Sequence, residues 1–174
     1  HEKVIKITID SGKGKIPVIA GTGSNSTNEA IELTKKASDF GADASLQVCP
    51  YYNKPTQEGL YRHFSAIAHA VDIPIIIYNI QGRTGINLET ATLARLAKEH
   101  SNIVGVKEAS GNISQMMDVI STLPKDFIVL SGDDNLTLPL MALGGKGVIS
   151  VASNIVPKEM HELTEHALNR RFEE

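Results

Sequence analysis

The amino-acid sequence predicts an α/β fold whose parallel strands curve into a (β/α) barrel. Three features carry that expectation: recurring apolar segments, helical periodicity between them, and polar clusters after the strands. The apolar segments occupy residues 16–20, 44–49, 75–78, 103–107, 127–131 and 148–152. They recur at intervals of roughly 20 to 30 residues, about one strand plus one helix. Between them, Leu60, Phe64, Ile67, Ala68 and Val71 form one stripe of helical period, and Ile113, Met116, Met117, Ile120 and Leu123 form another. Residues 2–9 also read as helical. Near-continuous apolar strands joined by single helices make a parallel sheet covered on its outer face. Five strands run into polar clusters: Gly21-Thr22-Gly23-Ser24, Tyr51-Tyr52-Asn53, Tyr78-Asn79, Lys107-Glu108-Ala109-Ser110 and Gly132-Asp133-Asp134. A barrel gathers such clusters at one mouth, whereas an open sheet spreads them along an edge.

Punctuation supports the same alternation. Ser26 followed by Glu29 reads as a capping box, and Gly41 sits just past the helix it would end. Pro17 and Pro74 each stand where a strand begins, where a missing N–H does least harm. No linker, low-complexity tract or change of composition marks a second domain. Of the 174 residues, 41% are hydrophobic and 21% charged, enough for one real core, and the net charge of −3 gives no field suited to nucleic acid or an anionic membrane. No apolar run approaches the roughly 20 residues of a membrane span. One cysteine, Cys49, allows no internal disulfide, and a cytoplasmic location is expected. The chain opens on His1 within a helical-looking stretch, so a preceding segment is expected.

Lys107 is the most informative position. It ends the apolar run Ile103-Val104-Gly105-Val106, where an ammonium is costly and desolvation favours the neutral, nucleophilic amine. The competing reading is a lysine that snorkels from the mouth or pairs with Glu108, and spacing alone favours neither. Tyr78 ends another strand; its phenol suits proton relay, although a core-capping tyrosine with a wet hydroxyl is the commoner case. Arg83, in Gly82-Arg83-Thr84-Gly85, offers a fork to a carboxylate, but on the residues alone a solvated loop arginine is the better reading.

Other motifs fail. Gly21-Thr22-Gly23 lacks the third glycine and the acidic ribose partner of a dinucleotide fingerprint, so no nicotinamide cofactor is expected. Gly144-Gly145-Lys146-Gly147 precedes a strand, on the barrel face associated with stability, and reads as a tight turn. His161 and His166 are five residues apart rather than four, so they diverge around a helix and no shared metal is expected. The remaining histidines read as surface or packing residues. Cys49 reads as an inert thiol.

Together, Tyr78-Asn79-Ile80-Gln81-Gly82-Arg83-Thr84-Gly85, Gly105-Val106-Lys107-Glu108-Ala109-Ser110-Gly111, Cys49-Pro50-Tyr51-Tyr52-Asn53-Lys54-Pro55 and Leu130-Ser131-Gly132-Asp133-Asp134 closely resemble the 4-hydroxy-tetrahydrodipicolinate (dihydrodipicolinate) synthase family. The resemblance runs in order over essentially the whole chain, including Gly21-Thr22-Gly23-Ser24-Asn25 and Gly147-Val148-Ile149-Ser150. It implies a TIM (β/α)₈ barrel of which strands 3 to 8 are present. The first two β/α units and a C-terminal helical extension would then lie outside residues 1–174.

The implied activity is a lyase of the Schiff-base aldolase type, without a cofactor, that condenses pyruvate with L-aspartate 4-semialdehyde on the route to diaminopimelate and lysine. By position, Lys107 is the imine-forming lysine, Tyr78 the proton shuttle, and Tyr52 a tyrosine reaching across a dimer interface. A homo-oligomer, a dimer of dimers, is therefore implied. Arg83 matches the semialdehyde carboxylate site, and Gly132 and Ile149 the lining of the pyruvate pocket. Tyr51, Asn25 and Glu29, with His1 as a possible fourth, match positions that bind lysine as feedback inhibitor in many members.

Two departures stand out. The family's Gly-Thr-Thr-Gly-Glu loop would precede residue 1, and Gln81 replaces a usual proline. N-acetylneuraminate lyase and keto-deoxy-sugar aldolases share the lysine and tyrosine, but Arg-Thr-Gly favours the synthase. A non-catalytic fragment or interaction module is the alternative of a different class.

Overall fold

Six strands, all parallel and hydrogen-bonded in sequence order, form one sheet that curls into part of a barrel, as the computed structural model of residues 1–173 describes. Helix α1 (Glu2–Gly12) leads into β1 (Ile19–Gly21), followed by α2 (Thr27–Asp39), β2 (Ala44–Val48), α3 (Gln57–Ala70), β3 (Ile75–Asn79) and a short α4 (Gln81–Thr84). Then come α5 (Thr90–Glu99), β4 (Ile103–Glu108), α6 (Ile113–Thr122), β5 (Ile128–Ser131), α7 (Thr137–Leu143), β6 (Gly147–Val148) and α8 (Pro157–Leu168), with 3₁₀ turns at Asp134–Leu136 and Ala152–Asn154. No helix among the described residues is long and apolar enough to cross a membrane.

Strand alternation sorts the side chains. Ile75, Ile77, Val106 and Val129 point outward to the helices, and Ile103 joins them because a register shift between Ile75 and Ile76 breaks the alternation on β4; they are buried with Leu60, Phe64 and Ile67 of α3, Leu93 and Leu96 of α5, Met116 and Val119 of α6, and Leu140 of α7. This layer is the main core; removing a buried leucine or phenylalanine side chain from such a layer costs about 2–5 kcal/mol. The concave face carries Leu46, Ile76 and Gly105 in one row, and Val48, Tyr78, Lys107 and Leu130 in the next.

The expected helical stripes hold on α3, but on α6 Met117 is half-exposed while Met116 is buried. The capping box is half made: Ser26 Oγ accepts from Glu29 N, but the Glu29 carboxylate accepts from Ser24 Oγ instead of returning to Ser26. Gly41 follows α2 with φ +92°, as a terminating glycine should. The 144–147 segment is a turn, closed by Gly145 N donating to Leu140 O and Lys146 N to Val129 O.

Two strands differ from expectation. The first begins at Ile19 rather than residue 16, because the Val18 N–H is taken by the Asp43 carboxylate at 2.7 Å, outside the ladder. The last is Gly147–Val148 rather than 148–152. Ile149 N still reaches Ser131 O, but Asp134 then accepts Val151 N at 3.2 Å and Ala152 N at 3.0 Å and bends the chain into a 3₁₀ turn.

Candidate active site

The centre of the site follows from register. Tyr78 on β3 and Lys107 on β4 are direct partners on the concave face, so their side chains meet. Lys107 Nζ lies 4.0 Å from the centroid of the Tyr78 ring, and the lysine is only 8% exposed. Gly132, just after β5, explains how the lysine fits. A Cβ there would stand 3.0 Å from Lys107 Cε and 2.5 Å from Ala109 Cβ, so any side chain would displace the amine or its strand.

Burial holds the Lys107 ammonium below its ordinary range, against the opposing pull of Asp133 and Asp134. More of the amine is therefore neutral near pH 7 than in an exposed lysine. Burial also raises the Tyr78 phenol; Arg83 acts to lower it and Asp133 to raise it further. The phenol thus keeps its proton, and Arg83 lies within electrostatic reach of it. Asp134 is held below the usual carboxylate range, first by a hydrogen bond from Ser150 and then by the Ala152 and Val151 amides.

Arg83 sits in α4, exposed and without an ion pair among the described residues. Despite Gln81, the loop is closed firmly: Thr84 Oγ1 donates to Ile80 O and Ile86 O, both at 3.0 Å. Gly85 completes the turn at φ +74°, where the Lys54 stem lies in the space a Cβ would need. Ile149 is half-buried beside β5 through its bond to Ser131.

Tyr51 and Tyr52 lie on the loop after β2. Tyr52 is 90% exposed and has φ +72°, a costly backbone for a bulky residue that turns its ring away from the chain. The loop is tied to its neighbour by Asn53 Nδ2 donating to Asn25 O at 3.0 Å, and His1 Nε2 stands 2.7 Å from Gly21 O. The Tyr51, Asn25 and His1 segments are therefore adjacent, while Glu29 is turned to Ser24. Burial pushes the Cys49 thiol up, which fits an inert thiol.

Glu108 does not pair with Lys107. Successive strand residues face opposite ways, and the Glu108 carboxylate is buried on the helix side against Asn79, Ser110 and Gln115. Sequence reading missed this cluster. The available signal was the polar residue that immediately follows each of Tyr78 and Lys107, at the parity of the outer core.

Against known proteins, the family model described as the dihydrodipicolinate synthetase family matches residues 1–174. This chain belongs to that family. The 4-hydroxy-tetrahydrodipicolinate synthase of Sulfurihydrogenibium sp. (strain YO3AOP1) is 55% identical over 174 residues, 100% of this chain and 59% of the relative. The crystal structure of dihydrodipicolinate synthase from Aquifex aeolicus superposes with a TM-score of 0.98 at 53% identity, covering 99% of this chain and 59% of that one. The chloride-inhibited dihydrodipicolinate synthase of Acinetobacter baumannii, complexed with pyruvate, gives 0.96 at 53% identity over the same shares. This member of the dihydrodipicolinate synthetase family thus spans about 59% of the length of the relatives it matches.

Proposed function

We propose that this chain supplies the Schiff-base centre of a 4-hydroxy-tetrahydrodipicolinate synthase, with Lys107 as the nucleophile toward pyruvate. The observation that carries the reading is the packing of the Lys107 amine, held below its ordinary pKa by burial, over the Tyr78 ring. The neutral amine attacks the ketone carbon, forming a C–N bond while the carbonyl oxygen takes up a proton. The carbinolamine then loses water to give the imine. Tyr78, protonated and adjacent, passes protons in these steps. Loss of a methyl proton to solvent gives the enamine, whose carbon forms a C–C bond to the aldehyde carbon of L-aspartate 4-semialdehyde while the aldehyde oxygen takes up a proton; attack of the semialdehyde amine on the imine carbon then closes a ring and breaks the C–N bond to Lys107, which leaves as the free amine. Arg83, free of internal carboxylates at the rim, binds the semialdehyde carboxylate.

Gly132 and Ile149 shape the pyruvate pocket, and the outward Tyr52 completes the site of a second copy in a homo-oligomer. L-lysine binds as a feedback inhibitor at Tyr51, Asn25 and Glu29. We further propose that the complete barrel contains two β/α units before residue 1, which close the free sides of β1 and β6 and carry the carboxylate-binding loop. The protein then acts in the cytoplasm.

The test is steady-state condensation kinetics on the complete reading frame with both substrates varied. Arg83→Ala should lower kcat/KM for the semialdehyde about tenfold or more, while leaving imine formation with pyruvate within about twofold. Equal loss of both would contradict the role given to Arg83, and no condensation by the unaltered protein would contradict the function.

A further inference from the structure

Behind the catalytic pair, on the helix side of the sheet, lies a hydrogen-bonded cluster that touches none of the reacting groups. Asn79 and Glu108 are register partners, each one residue beyond Tyr78 and Lys107, and both are almost completely buried. Asn79 Nδ2 donates to Glu108 Oε2 at 3.1 Å and to Asn87 Oδ1 at 2.8 Å, while Asn79 Oδ1 accepts from Leu88 N at 3.0 Å. Glu108 also accepts from Ser110 N at 2.7 Å and from Gln115 Nε2 at 3.3 Å. Gln115 and Asn87 are joined in both directions, at 2.7 Å and 3.1 Å.

Among the described residues, every hydrogen-bond partner of Glu108 is a neutral donor, and none is a lysine or arginine. Asn79 cannot turn its amide over without losing Leu88. The cluster therefore joins four chain segments in one orientation: the end of β3, the end of β4, the first turn of α6, and residues 87–88 where the Arg83 loop returns.

We propose that Glu108 and Asn79 are positioning residues, a clamp on the outer face that sets Tyr78, Lys107 and the Arg83 loop relative to one another. The inference rests on the proposed function only for what the pair is positioned to do; the clamp itself is made by the hydrogen bonds. Burial of a carboxyl among neutral donors is worth its desolvation only while every donor is satisfied. Small displacements at a reacting centre are costly, with about 1 Å worth as much as about 100-fold in rate.

The test uses Glu108→Gln, Asn79→Asp and the swapped double variant in the complete protein. In Glu108→Gln, either amide orientation sets a donor against a donor. In the swap, the amide introduced at position 108 donates to the carboxylate introduced at position 79 and accepts from Ser110 N, that carboxylate still accepts from Leu88 N, and the Asn87 and Gln115 amides turn over together, so that Asn87 Nδ2 donates to position 79, Gln115 Oε1 accepts from position 108 and their mutual pair is kept. Two readouts are taken on folded protein. The first is the rate of borohydride trapping with pyruvate. The second, which needs no substrate, is the pH profile of Lys107 acylation by a small amine-reactive reagent relative to exposed Lys98. The groups facing the Lys107 amine are Tyr78 from β3 and Asp133 and Asp134 after β5.

Each single variant should slow trapping about tenfold or more and move the Lys107 profile up toward an ordinary lysine. The swap should recover both to within about threefold. Folded single variants with the unaltered Lys107 profile would overturn the proposal, whatever their melting temperature. If the unaltered protein traps no pyruvate but the profile shifts and recovers as stated, the clamp stands and the proposed function fails.

Discussion

Two buried polar clusters lie on the helix side of the same sheet, and they differ in what they hold. Behind β1 and β2, Gln47 Nε2 approaches Thr22, Thr34 and Ser45 hydroxyls at 2.8, 2.7 and 2.6 Å, and Thr34 continues to Ala30 O. These groups are neutral and mostly short, and they fasten α2 to the sheet. Behind β3 and β4, a carboxyl and three amide side chains fasten loops and strand ends that carry Tyr78, Lys107 and Arg83. Polar groups in a core thus serve different ends according to what lies across the strand from them. The first cluster backs Leu46 and Val48, and the second backs the reactive pair.

Acid should act most strongly on the half of the molecule that holds the first cluster. On the α2–α3 side, His63 is buried with Nδ1 against Thr27 Oγ1 at 2.9 Å, and Nε2 has no hydrogen-bond partner among the described residues. Burial lowers its pKa from 6.5 to about 4, so the folded state binds fewer protons than the unfolded state between those values. Stability should therefore fall as the pH drops from 6.5 toward about 4, by about 3 kcal/mol in all from this group. Urea titrations between pH 4 and pH 7, roughly the window in which a histidine changes charge, should show that loss, and His63→Gln should flatten the slope. An unchanged slope would mean that other groups dominate acid sensitivity.

A smaller effect should separate the two clusters. Gln47→Leu removes a donor shared by three hydroxyls, which keep their bonds to one another and to Ala30 O, and should cost about 1 kcal/mol of stability. Because its strand lies away from Lys107, the trapping rate per folded molecule should stay within about twofold. Denaturant midpoints alongside trapping rates decide this. A tenfold slower rate in folded Gln47→Leu would erase the distinction between the clusters.

Much of this was legible in the sequence, for identifiable reasons. Burial on both faces makes strands such as Ile75–Asn79 and Ile103–Glu108 continuous apolar runs, so their positions stand out. The meeting of Tyr78 and Lys107 follows from each standing one residue before the end of its own strand. What was hidden depends on side chains capturing backbone at a distance in sequence. Asp43 on Val18 shortens the first strand, and Asp134 on Val151 and Ala152 ends the last. Local propensity contains neither bond. Glu108 looked like a possible partner for Lys107 because adjacency in sequence resembles proximity, whereas a strand sends neighbours to opposite faces. Tyr52 stood out in the sequence only as part of the polar cluster after a strand; its outward, strained placement had no signal in composition or period, and its role came from the family resemblance alone.

The role of Lys107 is best tested by treating the complete protein with pyruvate and borohydride, followed by peptide mapping across a pH series. A single reduced adduct should appear on Lys107, lost in Lys107→Ala. Because burial holds this amine below the ordinary 10.5, its trapping rate should rise with pH and level off before that value. An adduct on another lysine, or none in a protein that still condenses pyruvate with the semialdehyde, would contradict the assignment of Lys107 as the nucleophile.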